Sequence, residues 1–259
     1  MPESWERRIR RAEQLAGEGG PAESLLTFYA QLLRIQKDLY DSFKGRLSAS
    51  LNRDLPVVRE RAVALLRGVA EHGPDQLAIE ARTLLDGDPS AIDGVLVAYW
   101  RAPADRQFFA KAVLQPYGQS LVDAGVVPSD RVLTRTDNRC PRCGGAPQLS
   151  IVDMTGAASA DGGSRQLLCA DCLTPWPFRR VVCVHCGEED EGKLGYFHSP
   201  AYEHLRVDVC DMCRHYVKSV DLARLGIAVP LVDEVAGAPL DLWACERGYR
   251  KIELNLVGL

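Results

Sequence analysis

Cys140-Pro141-Arg142-Cys143, Cys169-Ala170-Asp171-Cys172, Cys183-Val184-His185-Cys186 and Cys210-Asp211-Met212-Cys213 hold eight of the chain's nine cysteines. The first 139 residues contain none. Two residues between cysteines let both sulfurs of a tight turn point at one ion, and two such turns supply the four ligands of a tetrahedral site. Each pair is therefore half a site. Intervals of 25, 10 and 23 residues separate successive pairs. Each long interval is enough for a hairpin or small sheet, so the pattern reads as a duplication. Cys140, Cys143, Cys169 and Cys172 then form one metal site, and Cys183, Cys186, Cys210 and Cys213 the other.

Details beside the cysteines support the duplication. Gly144 and Gly187 follow the second cysteine of the first pair in each unit, where glycine permits a left-handed turn. Arg165 and Arg206 each stand four residues before the cysteine that opens the second pair, with strand-like residues between. In a reducing cytoplasm four regular pairs indicate metal before disulfides or redox dithiols. Such small units lack the apolar mass to fold alone, and a structural metal contributes on the order of 10 kcal/mol or more. Zinc and mononuclear iron both accept four thiolates, so spacing leaves the choice of metal open. A ferredoxin-type cluster fits less well, because three cysteines two residues apart do not occur. Eight thiolates complete two sites, which sets His185, His198, His204 and His215 aside as non-ligands. Arg179, Arg180, Arg214 and Lys218 are candidates to offset the negative charge of the centres, or else to pair with carboxylates. Glu188-Glu189-Asp190-Glu191 reads as a solvated loop, and Cys245, in an expected helix, as a buried thiol.

The first half has a different period. Trp5, Ile9, Ala12 and Leu15, then Phe28, Leu32, Ile35, Leu39, Phe43 and Leu47, recur at helical spacing. A third helix is expected after Asp54-Leu55-Pro56 with Gly73-Pro74 as its stop, and a fourth from Pro74 or Asp75 to about Gly87. Two more are expected from Ala91 to Trp100 and from Asp105 to Asp123, ended by Gly125. His72 is read as a helix-end cation, and Tyr99, Trp100, Phe108 and Phe109 as core. Val126-Val127-Pro128-Ser129-Asp130 breaks the period and reads as the passage to the second half. The expected fold is α+β: an all-α domain over 1–130, two small β-rich metal-knuckle units over 136–178 and 179–222, and a C-terminal segment with a helix over 223–259.

Of the 259 residues 46% are apolar and 25% charged, as in ordinary globular proteins. No run approaches a membrane span, and the polar start Ser4-Trp5-Glu6-Arg7-Arg8 lacks the apolar stretch of a signal peptide. A cytoplasmic protein is expected, without membrane insertion. Net charge is −4, and residues 136–259 carry 13 basic and 17 acidic side chains, which opposes a nucleic-acid partner. A Gly-rich phosphate loop is absent, and eight thiolates leave no open metal position, so no enzyme activity is expected.

A helical domain followed by Cys140-Pro141-Arg142-Cys143-Gly144, Cys169-Ala170-Asp171-Cys172, Cys183-Val184-His185-Cys186-Gly187 and Cys210-Asp211-Met212-Cys213 resembles the formate dehydrogenase accessory protein E family. Leu114-Gln115-Pro116-Tyr117, Trp176, Tyr216-Val217-Lys218 and Glu246-Arg247-Gly248-Tyr249 support the likeness, which spans nearly the whole chain. It implies a cytoplasmic accessory factor that acts on the catalytic subunit of molybdenum- or tungsten-dependent formate dehydrogenases during maturation. It also implies rubredoxin-like sites able to hold iron, and no reaction of the chain's own. Cys172-Leu173-Thr174-Pro175-Trp176 departs from the family, where polar or acidic residues precede the tryptophan. Two rival readings stand beside it: an iron redox carrier or thiol oxidoreductase, and a zinc-ribbon nucleic-acid binder.

Overall fold

Helical periodicity becomes six helices: α1 (Trp5–Gly17), α2 (Glu23–Phe43), α3 (Leu51–His72), α4 (Asp75–Asp86), α5 (Pro89–Arg101) and α6 (Phe108–Asp123). They belong to a computed structural model that describes residues 4–103, 107–131, 133, 136–153 and 164–259. Caps set several of the ends. Ser4 accepts the Arg7 N–H, Asp88 accepts that of Ser90, and Pro89 takes the first position of α5, where its missing N–H costs nothing. The third helix starts at Leu51, ahead of the expected Asp54-Leu55-Pro56. Pro56 lies beyond the first turn and omits only one ladder bond, while the buried Asp54 carboxylate accepts the Ser48 N–H. Leu47 lies past the end of α2 rather than on it. Asp105, the expected start of the sixth helix, lies outside the described residues.

Central to the helical body is α6, buried on every side from Phe109 to Leu121. Pro116, inside it, has no N–H to give the carbonyl of Ala112. Gln36 of α2 fills that gap, donating from Nε2 to the Ala112 oxygen at 2.8 Å. Tyr99, Trp100 and Phe109 are core and Phe108 packs against them, as expected.

Among the described residues seven strands follow: β1 (Pro147–Asp153), β2 (Ser164–Cys169), β3 (Pro175–Pro177), β4 (Leu194–His198), β5 (Leu205–Cys210), β6 (His215–Asp221) and β7 (Arg250–Lys251). They form one sheet in the order β3-β2-β1-β6-β5-β4, with β7 beside β6. Each set of three consecutive strands is antiparallel within itself. The sets join where β1 runs parallel to β6, pairing Leu149 with Lys218 and Ile151 with Val220. The second set is thus the first shifted along the sheet in the same orientation.

Two helices, α7 (Pro230–Ala236) and α8 (Ala238–Glu246), cover the sheet. Val232 and Val235 of α7 belong to the helical core, so this helix ties the halves together. Asp233 at its centre accepts from Arg11 of α1 at 2.6 and 3.0 Å, from the Val229 N–H at 2.7 Å and from His204 at 2.9 Å. Burial opposes the Asp233 charge, but these donors hold its carboxyl below the usual range. Behind it Lys218 and Lys251 meet Glu234 and Asp241 in a closed network, completed by the Tyr216 hydroxyl on Asp241 and Asn255 on Glu234, both at 2.8 Å. Lys218 is fully buried here and pairs with carboxylates, the second of the two roles expected of it. Among the described residues no helix is long and apolar enough to cross a membrane.

Candidate metal centres

Three of the four knuckles are turns closed by their own backbone. The N–H after the second cysteine donates to the carbonyl of the first, from Gly144 to Cys140, Gly187 to Cys183 and Arg214 to Cys210. That residue must take a left-handed conformation, with φ of 74° at Gly144 and 78° at Gly187, as the glycines suggested. The same conformation recurs at Leu173 (56°) and Arg214 (57°), where the sequence carries no glycine to signal it. Non-glycine residues pay about 1–2 kcal/mol there. Contacts offset the cost: Leu173 is buried against Leu149, Leu168 and Leu231, and Arg214 lies over the Tyr249 ring at 3.9 Å and pairs with Asp211. This is the physical sense of the unusual Leu173.

Cys140, Cys143, Cys169 and Cys172 come together, as do Cys183, Cys186, Cys210 and Cys213, with all ligand atoms in each group within 4.8 Å of one another. Sulfur pairs stand 3.6 Å (Cys140 and Cys172), 3.4 Å (Cys143 and Cys169), 3.7 Å (Cys183 and Cys213) and 3.8 Å (Cys186 and Cys210) apart. Four thiolates about 2.3 Å from one ion would stand about 3.8 Å apart, far beyond a disulfide. The donor set fits a tetrahedral ion in both groups. In the first group hydrogen bonds from the other three sulfurs hold Cys140 far below the ordinary thiol range. They and burial drive Cys143, Cys169 and Cys172 far above it. In the second, burial pushes Cys183 to about 11 and raises Cys213. Burial also works against the Cys186 thiolate, but the Glu188 N–H and neighbouring thiols outweigh it and pull the group down.

The two groups differ in cover. All four cysteines of the first are buried, because α6 lies directly on the knuckle Cys169-Ala170-Asp171-Cys172. Gln115 donates to the Ala170 carbonyl at 2.8 Å, and a Cβ on Gly118 would stand 2.8 Å from the Asp171 carbonyl oxygen. Asp171 is 3% exposed and accepts from the Tyr99 hydroxyl at 3.1 Å and from Arg131 at 2.7 Å. Arg131 stacks on Trp100 and lies within electrostatic reach of Cys143 and Cys169 as well as of Asp171. Sequence reasoning missed both Asp171 and Arg131. Their partners lie 72 and 40 residues apart in the chain, and only the Asp130-Arg131 pair in the passage hinted at a polar anchor.

The second group is open: Cys186 is exposed and Cys213 half-buried. His185 and His215 stack at its rim with ring centroids 3.7 Å apart. Burial, with the charges of His215 and Arg139, keeps His185 below its usual pKa. His204 is engaged by Asp233, and Glu189, Asp190 and Glu191 form the exposed loop expected of them. Of the candidate counter-charges, Arg179 pairs with Glu189 and Arg214 with Asp211. The two aligned arginines converge on Asp208: Arg165, 5% exposed, reaches it at 3.4 Å and Arg206 at 2.8 Å. Cys245 is exposed on the outward side of α8, which corrects its reading as a buried thiol. That helix turns Leu240, Asp241 and Ala244 inward instead.

Comparison with known proteins agrees with this arrangement. Family models described as the central and C-terminal domains of FdhE match residues 139–180 and 181–257. An FdhE homolog of Aquifex aeolicus is 32% identical over 75% of this chain and 68% of its own length. One of Pseudomonas putida is 28% identical over 98% of this chain and 86% of its own. The crystal structure of the FdhE protein from Pseudomonas aeruginosa superposes with a TM-score of 0.73 at 25% identity, covering 99% of this chain and 97% of that one. An all-α body, a sheet carrying two groups of four cysteines and a likeness that runs from end to end lead to one conclusion: the chain belongs to the FdhE family.

Proposed function

We propose that the chain is a cytoplasmic accessory factor that serves the maturation of formate dehydrogenase by binding its catalytic subunit, without catalysing a reaction. In this reading Cys140, Cys143, Cys169 and Cys172 hold one metal ion and Cys183, Cys186, Cys210 and Cys213 a second, each iron or zinc. The supporting observation is the end-to-end likeness to FdhE proteins together with two donor sets of tetrahedral size. A bound ion supplies cross-linking, and one-electron chemistry as well if it is iron. The chain's own part is to fix the sulfurs: α6, Gln115 and Asp171 seat the first centre against the helical body, while the open second centre meets solvent. Affinity purification from anaerobically grown cells, comparing wild type with Cys140→Ser/Cys183→Ser, tests the reading. Enrichment of a formate dehydrogenase catalytic subunit, weakened in a double variant that still folds, is the expected result. Its absence beside wild type would sink the proposal.

One observation favours a second reading, a redox carrier serving the same enzyme: the second group of cysteines opens to solvent at Cys186. Reversible bleaching of a visible iron–thiolate band by a mild reductant would support it, and tightly held zinc would remove it.

A further inference from the structure

Two strands end the sheet, β3 and β4, and only one of them is protected. An edge strand carries unpaired N–H and C=O groups that recruit another strand unless proline, lysine or short length prevents it. β3 is three residues long and holds Pro175 and Pro177. β4, Leu194-Gly195-Tyr196-Phe197-His198, has neither proline nor lysine, and its Tyr196 and Phe197 are exposed. Just ahead of it the Asp211 N–H donates to the Lys193 carbonyl at 2.9 Å. Bonds to an antiparallel neighbour recur at every second residue, so Gly195 and Phe197 turn their backbone groups to β5, while Tyr196 and His198 turn theirs outward. Those outward groups have no backbone partner among the described residues.

The first unit shows what such an edge accepts. There β1 holds the place of β4: Val152 lies opposite Arg165 as His198 lies opposite Arg206. On β1 the outer edge is filled by β6, which runs parallel to it, and the Val152 carbonyl accepts the Leu222 N–H at 2.9 Å. A strand laid on β4 in the same sense is a poor match for a second copy. Two β4 strands related by a two-fold axis pair antiparallel, and a head-to-tail copy would have to offer β3 with its prolines. We infer that β4 takes up an extended, proline-free segment of the formate dehydrogenase catalytic subunit as an added parallel strand. Its apolar side chains would lie beside Phe197, whose ring meets that of Trp243 at 4.6 Å, and its polar ones beside Tyr196 and His198 on the other face. The inference rests on the accessory-factor reading.

Hydrogen exchange resolved to single amides, on the full chain with and without the purified catalytic subunit, tests it. In the free chain the Tyr196 and His198 amides are expected to exchange fast and those of Gly195 and Phe197 slowly. The subunit should slow the first two at least tenfold. Tyr196→Pro removes an outward N–H but no bond to β5, so it should weaken binding at least tenfold with its fold unchanged by circular dichroism, whereas Tyr196→Phe should bind like wild type. A subunit that binds while the Tyr196 and His198 amides stay fast, or that binds Tyr196→Pro as tightly, overturns the added strand and leaves the accessory reading standing. Slowing that follows the concentration of the chain alone assigns the edge to a second copy and overturns the inference in the same way. A subunit that does not bind overturns both.

Discussion

At the scale of single residues the chain spends its charges inside. Glu234 is fully enclosed. Burial pushes its carboxyl up, yet the Lys218 and Lys251 ammonium groups and the Asn255 amide outweigh it and bring the group to about 2. The unfolded chain therefore takes up this proton first as pH falls. The stability that Glu234 confers is complete above about pH 4.5 and lost on the way to about 2, a span worth about 3 kcal/mol. Glu234→Gln leaves two buried ammonium groups under-paired, at a cost of about 3–5 kcal/mol near neutrality. Denaturant titrations of both proteins should show the gap narrowing as pH drops from 5 to 3; a gap independent of pH would contradict the assignment. Cys245 makes a simpler prediction. In the metal-loaded protein one thiol of nine should react rapidly with a maleimide, and Cys245→Ala should abolish that reaction. Periodicity placed Cys245 on a helix but could not say which side faced out, since α8 buries Asp241 and exposes Leu242.

Elements reveal what was legible in the sequence and what was not. The helices could be read because their apolar spacing is local, and the knuckles because two cysteines three residues apart admit few geometries. The joining of β1 to β6 could not, since parallel neighbours in a sheet leave no mark on either strand alone. Nor could the seat of the first knuckle on α6, which depends on the side chain that Gly118 lacks and on the reach of Gln115 to the Ala170 carbonyl. Gln36→Leu should leave the Ala112 carbonyl buried without a donor and cost about 1–3 kcal/mol by chemical denaturation. Gly118→Ala would drive a methyl into the backbone of Asp171. We expect it to lower thermal stability and to speed chelator-induced loss of the first centre's metal, with the second centre's loss unchanged. Equal acceleration at both would refute the local seat.

For the whole molecule the difference in cover should govern how metal leaves. A chelator must reach sulfur to compete, so the centre with exposed Cys186 should empty first and the one under α6 only on a slower, unfolding-limited timescale. Cys186→Ser should leave the melting temperature of the helical body unchanged, whereas Cys140→Ser should leave the chain folded but lower its melting temperature as a unit. Single-phase release of both ions would argue against this order.

The order β3-β2-β1-β6-β5-β4 explains how two like halves come to differ in cover. A two-fold axis would have given both copies identical neighbours and so a common fate. A shift along one direction does not close on itself: it gives each copy a different left and right. One end of the row is β3, bounded by Pro175 and Pro177, and the other is β4, with Tyr196 and Phe197 exposed to solvent. The two halves that carry the cysteines thus stand at unequal stations, one a sealed foundation and the other an open face.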